Sequence, residues 1–178
     1  MRGALVALAL MAPVTAGAFE LQFPVACTLG QDCYVQHLPD RDPGPERRDF
    51  ACGTLTYDGH DGTDIALPSL SAMEAGVEVL AGAGGVVRGA RDGMPDIIVS
   101  DPAAPPLDGR DCGNGVAITH DDGWETQYCH MKQGSITVKA GDRVQAGDRL
   151  GQIGLSGNTE FPHLHLTLRR DGQWIDPW

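Results

Sequence analysis

The 178-residue sequence predicts a mainly β protein, a single antiparallel β-sheet-based domain. Eight short apolar or alternating runs, bounded by Gly and Asp, follow one another at close spacing. Asp122-Gly123 between two of them is a tight-hairpin signal. No segment after residue 18 carries a long amphipathic period, and Ser69 to Ala75 offers one helical turn or two.

Taken in order, residues 1–18 read as a secretory signal peptide. Arg2 is the charged start, Ala4 to Ala12 the apolar stretch, and Ala16-Gly17-Ala18 the small-residue cleavage pattern. Pro13 breaks the apolar run, which falls short of the roughly 20 residues that a membrane anchor needs. Residues 19–52 form a cysteine-bearing arm, its stretch from Leu38 to Asp49 too polar and Pro-rich to be core. The predicted strands are Val77 to Ala81, Gly85 to Ala90, Ile97 to Ser100, Val116 to His120, Trp124 to Cys129, Ile136 to Val138, Leu150 to Ile153 and His163 to Leu168. The loop from Asp101 to Arg110 has turn residues and no hydrophobic period, and can rim a groove. Two stretches, from Ala75 to Val87 and from Ala140 to Ile153, resemble each other and suggest paired turns of a sandwich or barrel.

The remaining length suits one domain able to bury its own core. A formal charge of −11 argues against electrostatic binding to nucleic acid or an anionic membrane. Five cysteines in an exported chain suggest disulfides, with an odd thiol left over. Cys27 with Cys33 and Cys112 with Cys129 are the pairings expected, leaving Cys52.

The chemistry-bearing residues lie in three places: His60 and Asp64 in GHDGTD, His130 in TQYCHM, and His163 with His165 in FPHLHL. Imidazoles and a carboxylate are what a hydrolytic zinc site needs. Gly59 and Gly62 argue against a helix at His60 and Asp64, and for a loop entering a strand at Ile65. His163 and His165, two apart on a strand, project to one face about 6.6 Å apart along it. Alternation places Tyr128 and His130 on one face and Cys129 on the other, which sets Cys129 aside as a ligand and favours a buried or bridged thiol. His37 reads as a surface group of the arm, and His120 as a hydrogen-bonding residue beside a turn. The acidic cluster Asp58, Asp61 and Asp64 lacks the twelve-residue calcium loop and its Glu. Spacing leaves open which of His60, Asp64, His163 and His165 hold a metal, and a closed four-ligand site fits equally.

The segments GHDGTDIAL, GNGVAITHDDGWETQYCHM, VKAGDRVQAGDRLGQIGLSGN and FPHLHLTLRRDGQWIDP, in this order, resemble the M23 family of zinc metallopeptidases, the lysostaphin and LytM type. Each is short; order and separation make the set specific, from about His60 to Pro177. The resemblance implies a LytM/lysostaphin-like, barrel-sandwich-type domain over residues 53–178 with a substrate groove. It implies one Zn2+ per chain on His60, Asp64 and His165, with water at the fourth position. His163 and His130 would line the site, His163 as general base and His130 at the developing oxyanion or leaving amine, two roles that could be exchanged. The implied substrate is a peptide bond in peptidoglycan stems or cross-links, such as D-alanyl to diaminopimelyl, and the implied location is the periplasm. The resemblance leaves a protein partner open. The cysteine-bearing arm and Cys129 depart from the family pattern, and leave open whether the arm occludes the groove.

Two other classes compete. A non-catalytic regulator of this fold that activates another wall hydrolase would be expected to lack zinc residues, and all five are present. A glycan-binding domain using Trp124, Trp174 and Trp178 would leave the histidines without a purpose.

Overall fold

The computed structural model describes residues 18–178; the leader expected over residues 1–18 lies, apart from Ala18, outside them. Strands β1 (Tyr34–His37), β2 (Thr63–Ala66), β3 (Glu78–Leu80), β4 (Gly85–Arg91), β5 (Asn114–Thr119), β6 (Trp124–Met131), β7 (Arg143–Val144), β8 (Arg149–Gln152), β9 (His163–Arg170) and β10 (Gln173–Trp174) carry the fold, with one short helix, α1 (Leu70–Ala75). The main sheet runs in the order β1-β2-β9-β6-β5-β4-β7, with β10 on β9; β3 and β8 form a second, two-stranded sheet. Every paired strand is antiparallel.

Each element follows from local chemistry. Ser69 caps α1 through its side chain, which accepts from Ala72 N, and Gly76 ends it at φ 87°. Asp122 (φ 55°) and Gly123 (φ 76°) turn the chain between β5 and β6, both in the left-handed region that tight hairpins require. The two similar stretches pair with each other: β3 lies on β8 and the start of β4 on β7.

One face of the main sheet is core. Ile65, Val116, Ile118, Tyr128, Leu164 and Leu166 join Val79 of β3 and Leu150 of β8 in a single cluster. Tyr128 is wholly buried, and its hydroxyl is satisfied by accepting from Gly82 N. The other face of β2, β9 and β6 is free for a site.

Two expected strands do not form. Over Ile97 to Ser100 only Val99 N reaches a distant partner, at Thr159 O, while Ile97 N bonds back to Pro95 O and Asp101 N to Ile98 O. Over Ile136 to Val138 only Thr137 N reaches β8, at Leu150 O, while Ile136 N goes to the Asp92 side chain. In both, apolar content outran the supply of ladder partners. The arm supplies β1, an edge strand no pattern announced, and its Val25, Cys33 and Leu38 are buried. Disulfides join Cys27 to Cys33 and Cys112 to Cys129, and Cys52 is free and exposed, as the spacing suggested. Among the described residues no helix is long and apolar enough to cross a membrane.

Candidate metal centre

Strand register assembles the site. Asp64 of β2 pairs directly with His165 of β9, and Ala66 with His163, so these four residues share the face opposite the core. His60 reaches the same point from the loop before β2. Gly62 is needed in that loop: a Cβ there would sit 2.6 Å from His165 Nε2.

The hydrogen bonds fix the tautomers. His60 Nδ1–H donates to Leu38 O (2.7 Å), His130 Nδ1–H to Ser156 O (2.8 Å), and His163 Nδ1–H to Phe161 O (3.0 Å). A carbonyl can only accept, so each of these rings, when neutral, presents a bare Nε2. His165 is reversed: Nε2 meets Thr167 Oγ1 (3.0 Å) and Asp61 Oδ1 (3.3 Å), leaving Nδ1 to face inward.

Three of these inward atoms form a near-equilateral triangle. Asp64 Oδ1 lies 3.1 Å from His60 Nε2 and 2.9 Å from His165 Nδ1, and the two nitrogens are 3.2 Å apart. Zinc with bonds near 2.0–2.1 Å has tetrahedral ligand edges of about 3.3 Å. With both rings neutral, three lone pairs would converge on one point in a buried place, an arrangement that requires a cation. His60, Asp64 and His165 thus could hold a metal ion; the other such group among the described residues, Cys27, Asp32 and Cys33, has its two sulfurs tied in a disulfide.

Without a metal, a proton on His165 can take this role. Burial opposes ionisation of Asp64, yet the imidazoles of His163, His165, His37 and His60 gathered around it hold its carboxyl far below the usual range. Burial lowers His165, but Asp61 and Asp64 outweigh it and raise its pKa to about 9. Burial, reinforced by His163 and His165, pushes His130 down to about 3. Burial and the charges of Asp64 and Asp61 raise Tyr57 to about 12.

His163 and His130 stand beside the triangle, their ring centroids 4.7 Å apart, with His163 Nε2 3.4 Å from Asp64 Oδ1. His130 stands at the site, but the alternation expected of β6 is not what brings it there. Cys129 pairs with His165 and therefore faces the site, while Tyr128 pairs with Leu166 in the core. His130 turns to the Cys129 side because its φ is 61° and the β5–β6 register slips between Asn114 and Val116. Alternation thus misplaced both residues; what removes Cys129 as a ligand is its bond to Cys112.

A cavity of about 220 Å³ opens over the site, lined by Tyr57, Asp61, Asn158 and Arg169 among others; a neighbouring one of about 320 Å³ shares Cys112 and Gln127 with it and runs on to Arg88 and Arg91. Together they make a groove across the open face of the sheet. Sequence reasoning did not single out Tyr57 or Arg169, which carry no motif of their own; and His37, read there as a surface group of the arm, instead faces the site, its Nδ1 3.0 Å from Asp64 Oδ2. His120 is the hydrogen-bonding residue expected, bound to Gly84 O and Thr126 Oγ1.

The model of Peptidase family M23 matches residues 58–177. The chain belongs to this family. Within M23 it is 32% identical over 124 residues to the DD-carboxypeptidase/endopeptidase Mpg of Neisseria meningitidis, covering 68% of this chain and 23% of that protein. It is 34% identical over 109 residues to the peptidoglycan DD-endopeptidase ShyA of Vibrio cholerae, covering 61% and 20%. The chain thus matches under a quarter of either relative's length. A mutant catalytic domain of the prophage-encoded M23 protein EnpA from Enterococcus faecalis superposes with a TM-score of 0.58 at 26% identity, covering 90% of this chain and 96% of that one. The M23 match includes all five of His60, Asp64, His130, His163 and His165, and begins after the arm.

Proposed function

We propose that this M23 chain is a zinc metalloendopeptidase that hydrolyses peptide bonds of peptidoglycan stems or cross-links, acting outside the cytoplasm and, on the reading of its leader, in the periplasm. The observation that carries the proposal is the triangle of His60 Nε2, Asp64 Oδ1 and His165 Nδ1 with two further imidazoles beside it. Three protein ligands and an open fourth position are the mark of a catalytic rather than a closed structural zinc. When bound, the metal would polarise the scissile carbonyl and lower the pKa of water toward 7.

The chain's own residues divide the remaining work. His163, its Nδ1–H held by Phe161 O, takes the proton of the attacking water at Nε2. Burial resists a lasting charge on His130, so this ring serves at the oxyanion or the leaving amine while it transiently holds the proton that His163 gives up. The groove over β4, β5, β6 and β9 accommodates an extended peptide. A D-alanyl to diaminopimelyl cross-link is the preferred bond, in keeping with the DD-endopeptidase relatives. Retention of all five residues favours turnover over a purely regulatory role.

The test is to load the protein with zinc and digest cross-linked muropeptides, naming the cleaved bond by mass spectrometry. New amine termini from wild type, absent with His163→Ala, support the proposal. A zinc-loaded wild type that releases none returns the chain to the regulator class.

A further inference from the structure

The arm reaches the metal centre from behind. Strand β1 pairs with β2 as Tyr34 with Ala66, Val35 with Ile65, and then His37 with Asp64, skipping Gln36. That extra residue is a β-bulge, which re-aims the side chains after it. In an unbroken ladder Gln36 would oppose Asp64; with the bulge His37 does. Its Nδ1–H donates to Asp64 Oδ2 at 3.0 Å, leaving Oδ1 for the triangle.

The next residue serves a second ligand. Leu38 O accepts from His60 Nδ1, on the side of that ring away from the triangle. Two residues on, Asp40 N donates to His60 O, and the Asp40 carboxylate accepts from Asp42 N, Arg48 N and Gly59 N. Leu38 and Asp40 are both buried, so this stretch is clamped to the loop that carries His60. It touches the rear of two ligands.

We infer that residues 37–40 of the arm, which lie before the family match, are a working part of the metal centre, with His37 the positioning residue for Asp64. This rests on the reading of His60, Asp64 and His165 as zinc ligands. A donor on the second oxygen of a metal-binding carboxylate sets its rotamer and keeps it monodentate, and such partners tune affinity through the ligand they hold. The arm is then a support for the site and not a plug in its groove.

The experiment measures zinc affinity of the full chain by competition with a chromophoric chelator, and the melting temperature of the chelated protein, for wild type, His37→Ala and His37→Asn. The Asn amide nitrogen can stand where Nδ1 stood. His37→Ala should bind zinc about 10- to 100-fold more weakly, and His37→Asn should regain most of that loss. The two variants should melt alike once zinc is removed. If His37→Ala holds zinc as tightly as wild type, or if both variants lose it to the same extent, the positioning role is wrong. If wild type itself takes up no zinc, the metal reading falls first and this inference with it.

Discussion

His130 holds its backbone at φ 61°, a conformation that costs a residue with a Cβ about 1–2 kcal/mol. The strain is the means by which an imidazole leaves the alternation of β6 and faces the triangle. His130→Gly and His130→Ala should both abolish turnover while retaining zinc. The glycine variant should be the more stable of the two by about 1 kcal/mol in urea unfolding; equal stabilities would deny that the backbone is strained. Gly62 offers the complementary case. A methyl group there meets His165 Nε2 at 2.6 Å and Leu166 O at 2.7 Å, so Gly62→Ala should displace a ligand and weaken zinc binding with the β core intact by circular dichroism. Sequence showed His60, Asp64, His163 and His165 because they sit in two short motifs. It hid His37, which meets Asp64 across 27 positions through a bulge that leaves no mark in composition.

At the scale of elements, the turn at the end of β6 is braced from one side by a disulfide. Cys112 bonds to Cys129, and Cys112 O accepts from His130 N at 2.8 Å. From below, the wholly buried Asn114 donates to Met94 O and Met131 O, accepts from Met94 N, and is joined by Ser156 Oγ. Replacing both cysteines by Ser should cost about 3 kcal/mol by loop entropy. If the bridge also fixes His130, kcat should fall while zinc affinity holds; a loss of stability with kcat unchanged would limit the bridge to a staple. The ladders themselves were legible wherever a run had a partner: β9 reads His-Leu-His-Leu, site and core in turn. The failures at Ile97 to Ser100 and Ile136 to Val138 share a cause, since periodicity reports which side chains are apolar and not whether a neighbouring backbone is in reach.

At the scale of the whole molecule, the proposed zinc site would make folding and metal binding one equilibrium, because the three donors converge only when β2 and β9 are paired with the His60 loop beside them. Zinc at 100 times its dissociation constant should stabilise the fold by about 2.7 kcal/mol, and chelation should remove that gain. The pH course of the gain follows from His165. Its pKa in the metal-free fold is about 9, raised from 6.5 by Asp61 and Asp64 against the effect of burial. A pKa raised on folding stabilises fully below 6.5, and that contribution is lost as the pH climbs through 9. Metal-free protein should therefore lose melting temperature between pH 6.5 and 9. Zinc replaces the proton among the same donors, and so binds better as that proton leaves. The rise in melting temperature on adding zinc should grow across the same window, measured by calorimetry in parallel chelated and zinc-loaded series. A constant difference between the two series would mean that proton and metal do not compete for one place, and the triangle of His60, Asp64 and His165 would not be where zinc binds.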